Sequence, residues 1–504
     1  MDGAQSNIRL VVAGLLLGIF MAAIDNTIVA TALGSIVSDL GGLDQFVWVT
    51  SAYMVTVLAG MPIFGKLSDM YGRKRFFIIG LIIFLAGSAL CGIAQNITQL
   101  SLFRALQGVG GGALLPIAFT IVFDVFPPEK RGKMTGLLGA VFGSASVFGP
   151  LLGAYLTEYI SWHWVFYVNI PIGLVSVILV SKYYKEKAQL QAQKIDWLGA
   201  FTLVAWIVSL MFALELGGKE FAWTSWQSIA LFGSFLLFLI AFLAAETKAK
   251  DPIISFWMFK SRLFASSQIL AFLYGASFII LTIFIPIFVQ AVYGGSATSA
   301  GYILMPLMLG SVLGSGLAGA FMTKTSYRSI MFVSINSFII GMALLGTMTP
   351  DTSRILLTIF MILSGFGVGF SFSLLPNASI HNLDPRFRGS ANSMNAFFRS
   401  LGMTIGVTIF GAIQTKMFTR ELEKSFPAGG GNGGFDLSNP QGIFEPEVRS
   451  QLPNHVLQPI VYAMSDSITA MFVVALIPLG AALITVFFMG KTKLVVEKKA
   501  EPSA

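Results

Sequence analysis

Long apolar runs, each about as long as a bilayer is thick, recur along the whole of this 504-residue chain. A helix that crosses a membrane needs about 20 mostly apolar residues, because each residue advances it by only about 1.5 Å. Only 11% of the residues are charged, against about 25% in an ordinary soluble domain. The sequence therefore predicts an all-α polytopic membrane protein with fourteen spans. They lie near 8–33, 45–65, 76–95, 98–124, 133–156, 163–182, 196–216, 227–246, 264–290, 298–322, 329–347, 354–375, 389–415 and 464–490.

The distribution of basic residues supports this count. Loops on the cytoplasmic side of a membrane protein are rich in Lys and Arg. With the N-terminus inside, 24 of the 32 Lys and Arg residues fall in inner segments, and four of the six outer ones lie in one long loop, 416–463. We therefore expect a multi-pass protein of the plasma membrane with both termini in the cytoplasm. Because the basic residues form short separate clusters rather than one stripe, we expect no nucleic-acid partner.

Residue types that hold metals or carry out covalent catalysis are scarce in this chain. Its only cysteine is Cys91, and its histidines are His163, His381 and His455. The sequence has no paired-cysteine or HExxH spacing and no cluster of histidines and carboxylates. It therefore predicts no metal site, no organic cofactor and no enzymatic centre.

An internal repeat relates the two halves of the chain at an offset of 257 residues. The matches are glycines in two pairs of spans, together with the loop residues between the spans. They pair Gly108 with Gly365, Gly110 with Gly367, Gly112 with Gly369, Pro128 with Pro385, Arg131 with Arg388, Gly132 with Gly389, and Gly149 with Gly406. A chance match between glycine-rich helices is the alternative, but the loop residues match as well.

The repeat makes each half a six-helix bundle, with two helices inserted between the bundles. Parallel repeats of this kind build major facilitator transporters, in which the substrate site lies at the midplane between the halves. We predict an N-terminal bundle at 1–182 and an inserted pair with cytoplasmic linkers at 183–262. The C-terminal bundle follows at 263–490 and includes the extracellular loop 416–463. A cytoplasmic tail occupies 491–504.

The loop after the second span reads GKLSDMYGRKR, from Gly65 to Arg75. It resembles the cytoplasmic motif G-x-L-x-D-x-x-G-R-K of the major facilitator superfamily. The resemblance implies a gate that latches the two halves in the outward-facing state. A basic turn that only sets topology is the alternative, and the equivalent loop of the second half, from Gly319, lacks the Asp and the second Gly. The matching positions are Gly65, Leu67, Asp69, Gly72, Arg73 and Lys74.

Two more segments resemble motifs of the same family. LSLFRALQGVGGG in span four is similar to its arginine-centred motif, with Arg104 at the centre. GLLGAVFGSASVFGPLLGA in span five resembles its antiporter motif, at Gly136, Gly149, Pro150 and Gly153. Proline removes a backbone donor and bends a helix, and the resemblance implies a switch typical of exporters rather than importers. A purely packing role for the same glycines is the alternative.

Two further signatures narrow the resemblance to the fourteen-helix drug:H⁺ antiporters of the DHA2 type. AAIDNTIVATAL (22–33) resembles their D-x-T-I-V signature, and SWHWVFYVNIPIG (161–173) resembles W-x-W-x-F-x-x-N-x-P-I-G. The chain departs from the usual residues at Ala30, Gly34 and His163. The resemblance covers nearly the whole chain and is closest to Gram-positive multidrug exporters.

Ionisable residues inside the spans are candidates for function, because a charge in hydrocarbon costs about 3 kcal/mol or more. Asp25 and Arg104 lie at similar depths from the outer surface, about 12 Å and about 9 Å. We expect Asp25 to face the central cavity beside Arg104 and to exchange protons; a permanent structural pair is the alternative. Glu215, at the outer end of span seven, is either a second acid for substrate or proton or an interfacial residue. Arg399 is expected to bond helix carbonyls.

Together these features predict a proton-coupled antiporter that exports hydrophobic or cationic drugs by alternating access. An acid in a pocket of aromatic and Met side chains suits lipophilic cations. Its partners would be such small molecules, membrane lipids and protons, with the proton as the coupling ion. Two alternatives share the fold: an exporter of an endogenous lipid or metabolite, and a proton-independent uniporter.

Overall fold

The computed structural model of the chain describes residues 2–41, 47–186, 195–218, 220–295, 302–426, 449 and 452–493. Three predicted segments lie largely or partly outside these described residues. They are the linker that begins at 183, the extracellular loop 416–463 and the tail 491–504.

Within the described residues the chain consists of helices and the loops that join them. Two short 3₁₀ helices, Phe256–Lys260 and Pro385–Phe387, precede α10 and α14 as numbered here. The helices are α1 (Asp2–Leu40), α2 (Val47–Tyr71), α3 (Arg73–Cys91), α4 (Ile97–Val125), α5 (Pro128–Tyr159), α6 (Trp164–Tyr167), α7 (Asn169–Tyr183), α8 (Trp197–Leu216), α9 (Trp226–Lys248), α10 (Arg262–Ala291), α11 (Met305–Phe321), α12 (Tyr327–Leu345), α13 (Arg354–Ser379), α14 (Arg388–Ser425), α15 (Asn454–Val474) and α16 (Leu476–Phe488).

Each of the fourteen predicted spans overlaps a helix. Twelve helical segments of the described chain are long and apolar enough to cross a membrane, with α6 and α7 counted as one and α15 and α16 as another. The remaining two spans are α11, which is apolar but shorter, and the 32-residue α5. The predicted fold class, an all-α polytopic membrane protein, is therefore confirmed.

Two helices extend further at their ends than the apolar runs predict. α1 continues beyond residue 33 to Leu40 and ends where Gly41 adopts a φ of 70°, a left-handed conformation that favours glycine and terminates helices. α14 continues to Ser425 through a polar segment rich in good helix formers. Hydropathy marks where a helix meets lipid, whereas backbone hydrogen bonding decides where the helix stops.

Glycines bring the helices of each half into close backbone contact, and they do so in the same way in both halves. In the first half, α4 packs against α2 and α3: a side chain at Gly108 would collide with the carbonyl of Tyr53, and one at Gly110 with the backbone of Phe84. In the second half, α13 packs in the same way against α11 and α12. A side chain at Gly365 would collide with the carbonyl of Leu307, and one at Gly367 would lie 2.5 Å from the backbone nitrogen of Phe338.

The next pair of repeated helices shows the same correspondence. Gly149 of α5 lies against α1. Its repeat partner Gly406 of α14 lies against α10, where an added Cβ would be 2.7 Å from the carbonyl oxygen of Ala276. The repeat read from the sequence is thus a repeat of helix packing, since small residues let two backbones approach.

The inserted helices α8 and α9 pack against each other, and α8 packs against α2 of the first half. A shared apolar cluster also connects them to the second half: the Trp206 ring lies 6.0 Å from that of Phe397, centroid to centroid. The inserted pair therefore lies beside the junction of the two halves rather than apart from it.

Most of the described basic residues lie at one end of the bundle, in the loops and the helix ends there, including Arg73, Lys130, Lys248, Lys260 and Arg386. We call it the inner end, and the sequence predicts that it faces the cytoplasm.

The glycine contacts predict that an added methyl group lowers the stability of the protein where a glycine is tightly packed and not where it faces open space. Gly367→Ala should lower stability by about 1–3 kcal/mol, because its Cβ would press on the backbone of Phe338. Gly233→Ala on α9 is the matched control, since nothing lies within 4 Å of its Cβ. Thermal unfolding in detergent micelles measures both. Equal midpoints for the two variants would contradict the packing described here.

Candidate functional site

Asp25 of α1 and Arg104 of α4 form an ion pair inside the first half. Arg104 Nη1 donates to Asp25 Oδ2 at 2.5 Å. Both side chains are buried, with exposed fractions of 0% and 1%. A buried charge is tolerated when it is paired and its remaining bonding groups are satisfied, and the surrounding amides supply those bonds.

Two amide side chains complete the bonding of the Asp25 carboxylate. Gln107 Nε2 donates to Oδ1 at 2.8 Å, and Asn169 Nδ2 donates to the same oxygen at 2.9 Å. Asn169 also donates to Ser88 Oγ at 3.1 Å, and Gln107 Oε1 accepts from Arg104 at 2.7 Å. The carboxylate is therefore held by residues of α4 and α7, and α3 is connected to the network through Ser88.

Arg104 extends the same network to α2. Its Nε donates to the backbone carbonyl of Val49 at 3.1 Å, and its guanidinium lies 4.1 Å above the ring centre of Tyr53. The ring of Phe166 is also near, at 5.9 Å. A cation over an aromatic face is stabilised by the ring quadrupole, the more so when water is excluded. One charge pair thus connects four spans: α1, α2, α4 and α7.

The structure confirms that Asp25 lies beside Arg104, but it corrects the expected exposure of the acid. Asp25 does not line an open cavity in this conformation, because Gln107 and Asn169 enclose its carboxylate. The depth estimate places a residue along the helix axis but not around it, so it could not give the direction of the side chain. Asn169 was not among the predicted site residues, although the segment 161–173 had been singled out as a motif.

The other two intramembrane candidates lie elsewhere. Glu215 is partly buried at the outer end of α8, on a helix that contributes no described hydrogen bond to Asp25. Arg399 of α14 donates to the carbonyl of Ser371 at 3.1 Å and lies 4.4 Å from the ring centre of Phe372. The prediction that Arg399 bonds a helix carbonyl is confirmed.

A second group of predicted residues joins the two halves at the inner end. Asp69, near the end of α2, accepts from the backbone nitrogens of Gly389 and Ser390 at 2.8 Å and 2.7 Å, and from Ser390 Oγ at 2.9 Å. It thereby caps the start of α14, where unpaired N–H groups and the helix dipole favour an anion. Gly65 makes this approach possible, because a side chain there would collide with Ser393.

Arg73 adds ion pairs to the same junction. It pairs with Asp69 at 3.3 Å and with Asp124 of α4, and it donates to the carbonyl of Pro385 at 2.5 Å. Arg388 of the second half also pairs with Asp124, at 3.4 Å. We call these residues and the start of α14 the inner latch.

The rest of the predicted motif shapes the turn beneath the latch. Gly72 adopts a φ of 104°, a conformation that side chains rarely adopt. The next two backbone nitrogens, of Arg73 and Lys74, donate to the carboxylate of Glu186 at 2.6 Å and 3.1 Å. Glu186 follows α7 and was not predicted, because its partners are backbone groups that leave no mark in the sequence.

The span-five motif packs against α1 next to Asp25. Side chains at Gly149 and Gly153 would collide with Thr27 and Thr31, and Thr27 Oγ1 donates to the carbonyl of Ala145 at 3.2 Å. Pro150 lies inside α5, which continues without a break. This geometry accommodates the packing role and leaves the switching role a prediction.

Further contacts between the halves lie on the same side of the membrane midplane. Thr135 of α5 and Ser373 of α13 are 2.9 Å apart, and Asn392 of α14 donates to Thr120 of α4 at 3.2 Å. Together with the inner latch they close the inner end. Within the described ranges, no three His, Cys, Asp or Glu side chains converge as a metal site requires.

Comparison with known proteins identifies the family that has this architecture. The Major Facilitator Superfamily model matches residues 15–407. The chain is 63% identical over 494 residues to "Multidrug resistance protein 3" of Bacillus subtilis, covering 97% of this chain and 96% of that protein. It is 35% identical to "Multidrug transporter protein MdtP" of the same organism, covering 99% and 96%.

Solved structures show the same fold at low sequence identity. The human organic anion transporter MFSD10 superposes with a TM-score of 0.62 at 13% identity, covering 94% of this chain and 99% of that one. The proton:xylose symporter XylE superposes with a TM-score of 0.60 at 14% identity, covering 97% of each.

The buried pair predicts a specific pattern of stabilities. Arg104→Leu should lower stability by about 3–5 kcal/mol, because it leaves the charge of Asp25 buried without a partner. Adding Asp25→Asn should recover part of that loss, since Gln107 and Asn169 can still bond a neutral amide. Thermal unfolding of the single and double variants measures the coupling. Strictly additive losses would show that the two groups do not interact.

Proposed function

Because the chain belongs to the major facilitator superfamily, we propose that it exports hydrophobic or cationic small molecules by proton-coupled antiport. This family and the relatives named above are transporters, so the chain is a multi-pass membrane transporter rather than an enzyme. The observation that carries the proton-coupling proposal is the fully buried acid Asp25 with its ring of donors.

Protonation of Asp25 would change the electrostatics of the whole first half. The neutral acid would leave the Arg104 charge without its counter-ion, beside the Val49 carbonyl, Gln107 and the rings of Tyr53 and Phe166. An uncompensated charge in a dry interior costs several kcal/mol. The four connected spans must then rearrange or admit water, so proton binding is linked to conformation rather than confined to one side chain.

The inner latch supplies the second part of alternating access. Its contacts hold the halves together at the inner end, and they must break before a substrate can enter from that side. A ligand shifts such an equilibrium only by its difference in affinity for the two states. In the proposed cycle, deprotonated Asp25 favours substrate binding from the cytoplasm, a proton from outside displaces the substrate, and the protonated carrier resets. In the conformation described, Asp25 and Arg104 are both buried, so in this proposal the acid acts on the substrate through the arrangement of the four spans rather than by contact.

The substrate class follows from the relatives and from the chemistry of the interior. Two relatives with near-complete coverage are named as multidrug proteins. The chain has 45 Phe and 21 Met, side chains that adapt to ligands of varied shape. These features favour amphiphilic drugs over a single polar metabolite.

We also propose the plasma membrane as the location, with both termini in the cytoplasm and the inner latch on the cytoplasmic side. Large apolar side chains such as Ile82, Leu102, Ile178 and Ile355 are exposed on the outside of the bundle. In a membrane such surfaces contact lipid, which is therefore the expected permanent partner.

Proton flux in proteoliposomes, measured for the wild-type protein and for Asp25→Asn, tests the proposal. In proteoliposomes with an imposed pH gradient, adding a fluorescent lipophilic cation should evoke proton movement with the wild-type protein. Asp25→Asn should reduce that movement to the level of protein-free liposomes, because the variant has no proton to exchange at this site. A pH-sensitive dye in the lumen reports the flux.

Asp39→Asn is the matched control, since Asp39 lies on the same helix at its outer end, where it accepts from Trp162 Nε1 at 2.8 Å. This variant should keep the flux. Undiminished proton flux in Asp25→Asn would exclude Asp25 as the coupling acid. Drug transport at the same rate with and without the pH gradient would indicate a uniporter. Absence of resistance to any amphiphile in cells that overproduce the protein would indicate an endogenous lipid or metabolite as cargo.

A further inference from the structure

A separate cluster of charged side chains lies at the inner end, where the inserted pair meets α2. Lys66 projects from α2, Asp196 precedes α8, Glu246 lies in the last turn of α9, and Asp251 lies in the loop after it. Lys66, Asp196 and Asp251 line a cavity of about 20 Å³, which exceeds the roughly 10–15 Å³ that one water molecule needs. The transport cycle described above uses none of these groups.

Two carboxylates of this cluster lie on the same side of Gly199, at the place that a side chain on this residue would occupy. Glu246 is 2% exposed, and its oxygens accept from the backbone nitrogens of Ile253 and Ile254 at 3.3 Å and 3.0 Å. Asp196 Oδ1 accepts from the Gly199 nitrogen at 2.8 Å. Its Oδ2 is buried and has no hydrogen-bond partner in the described structure.

The environment of Gly199 shows how close the two acids are. A Cβ at Gly199 would lie 2.7 Å from Glu246 Oε1 and would collide with Asp196 Oδ2. Two ionised carboxylates in such a place repel each other, and a shared proton removes the repulsion. The proton would also give the unpartnered oxygen of Asp196 a hydrogen bond.

Lys66 connects this acid pair to the inner latch. Its side chain is only 6% exposed and makes no ion pair with another described residue. It lines the same cavity as Asp196 and Asp251. Asp69 lies one helical turn away on α2 and is the residue that caps α14. A buried ammonium therefore lies between the acid pair and the latch.

We propose that Glu246 and Asp196 bind a proton between them, forming a second proton site at the inner end, and that Lys66 transmits its occupancy to the inner latch. With both carboxylates ionised, Lys66 is drawn toward them and Asp69 is left to the start of α14. Proton binding releases Lys66 to compete for Asp69, and the latch weakens. The evidence for this second site is the set of contacts described above, and the proposal does not require Asp25 to be the coupling acid.

The proposal is tested on the full-length protein in lipid nanodiscs, without substrate. Cys91→Ser removes the only cysteine, and spin labels at Arg75→Cys and Asp384→Cys report the distance between the halves at the inner end. Asp25→Asn in every sample removes the titration of that acid. Between about pH 8.5 and about pH 5.5, the ratio of closed to open populations should fall by about tenfold, the effect of one unit of difference in proton affinity.

Glu246→Gln and Asp196→Asn should each reduce this change to less than about twofold. The amide of Asp196→Asn keeps an oxygen for the bond from Gly199, whereas the amide of Glu246→Gln can accept only one of the two bonds from Ile253 and Ile254. Glu158→Gln, at an exposed outer position, should leave the change intact, and Asp69→Asn should open the inner end at every pH. An unchanged pH response in both Glu246→Gln and Asp196→Asn would overturn the second site. Because all samples lack Asp25, failure here is distinguishable from failure of the antiport proposal.

Discussion

The buried ion pair between Asp25 and Arg104 connects four helices of the first half. Both groups are fully buried, and the donors and acceptors that satisfy them come from α2, α4 and α7. Neither charge can leave this network without exposing its partner to a dry interior. Four spans are therefore tied to one buried ion pair, and in the proposed cycle a change in the charge of Asp25 affects all four.

The inner latch works on a different principle from the buried pair. Its bonds link separate halves, and one of them uses the start of α14 as the binding site for the Asp69 carboxylate. The Asp69 side chain is 4% exposed, whereas that of Asp124, which pairs with Arg73 and Arg388, is 22% exposed, so water can replace the Asp124 contacts more readily. In the proposed cycle the buried pair would hold the proton and the inner latch would close one end of the carrier.

Much of the architecture could be predicted from the sequence, because apolar runs, basic loops and a repeat of glycines are properties of single residue types. The offset of 257 even predicted which helix pairs make equivalent contacts, as Gly110 and Gly367 show. The nearness of Asp25 to Arg104 was also predictable from depth and from the family resemblance. The rotation of each helix about its own axis was not predictable, so the contact of Asn169 with Asp25 was not predicted. Glu186 and Glu246 could not be predicted as site residues, because their partners are backbone N–H groups, which every residue except proline has.

In the proposed cycle, substrate binding and the protonation of Asp25 are linked, and calorimetry measures that linkage. Binding of a lipophilic cation to the purified protein, titrated in buffers of different ionisation enthalpy, gives the number of protons released per substrate bound. If that linkage exists, the wild-type protein should release protons when it binds the cation, and Asp25→Asn should release fewer. Equal release by both proteins, or none by either at any pH, would contradict it.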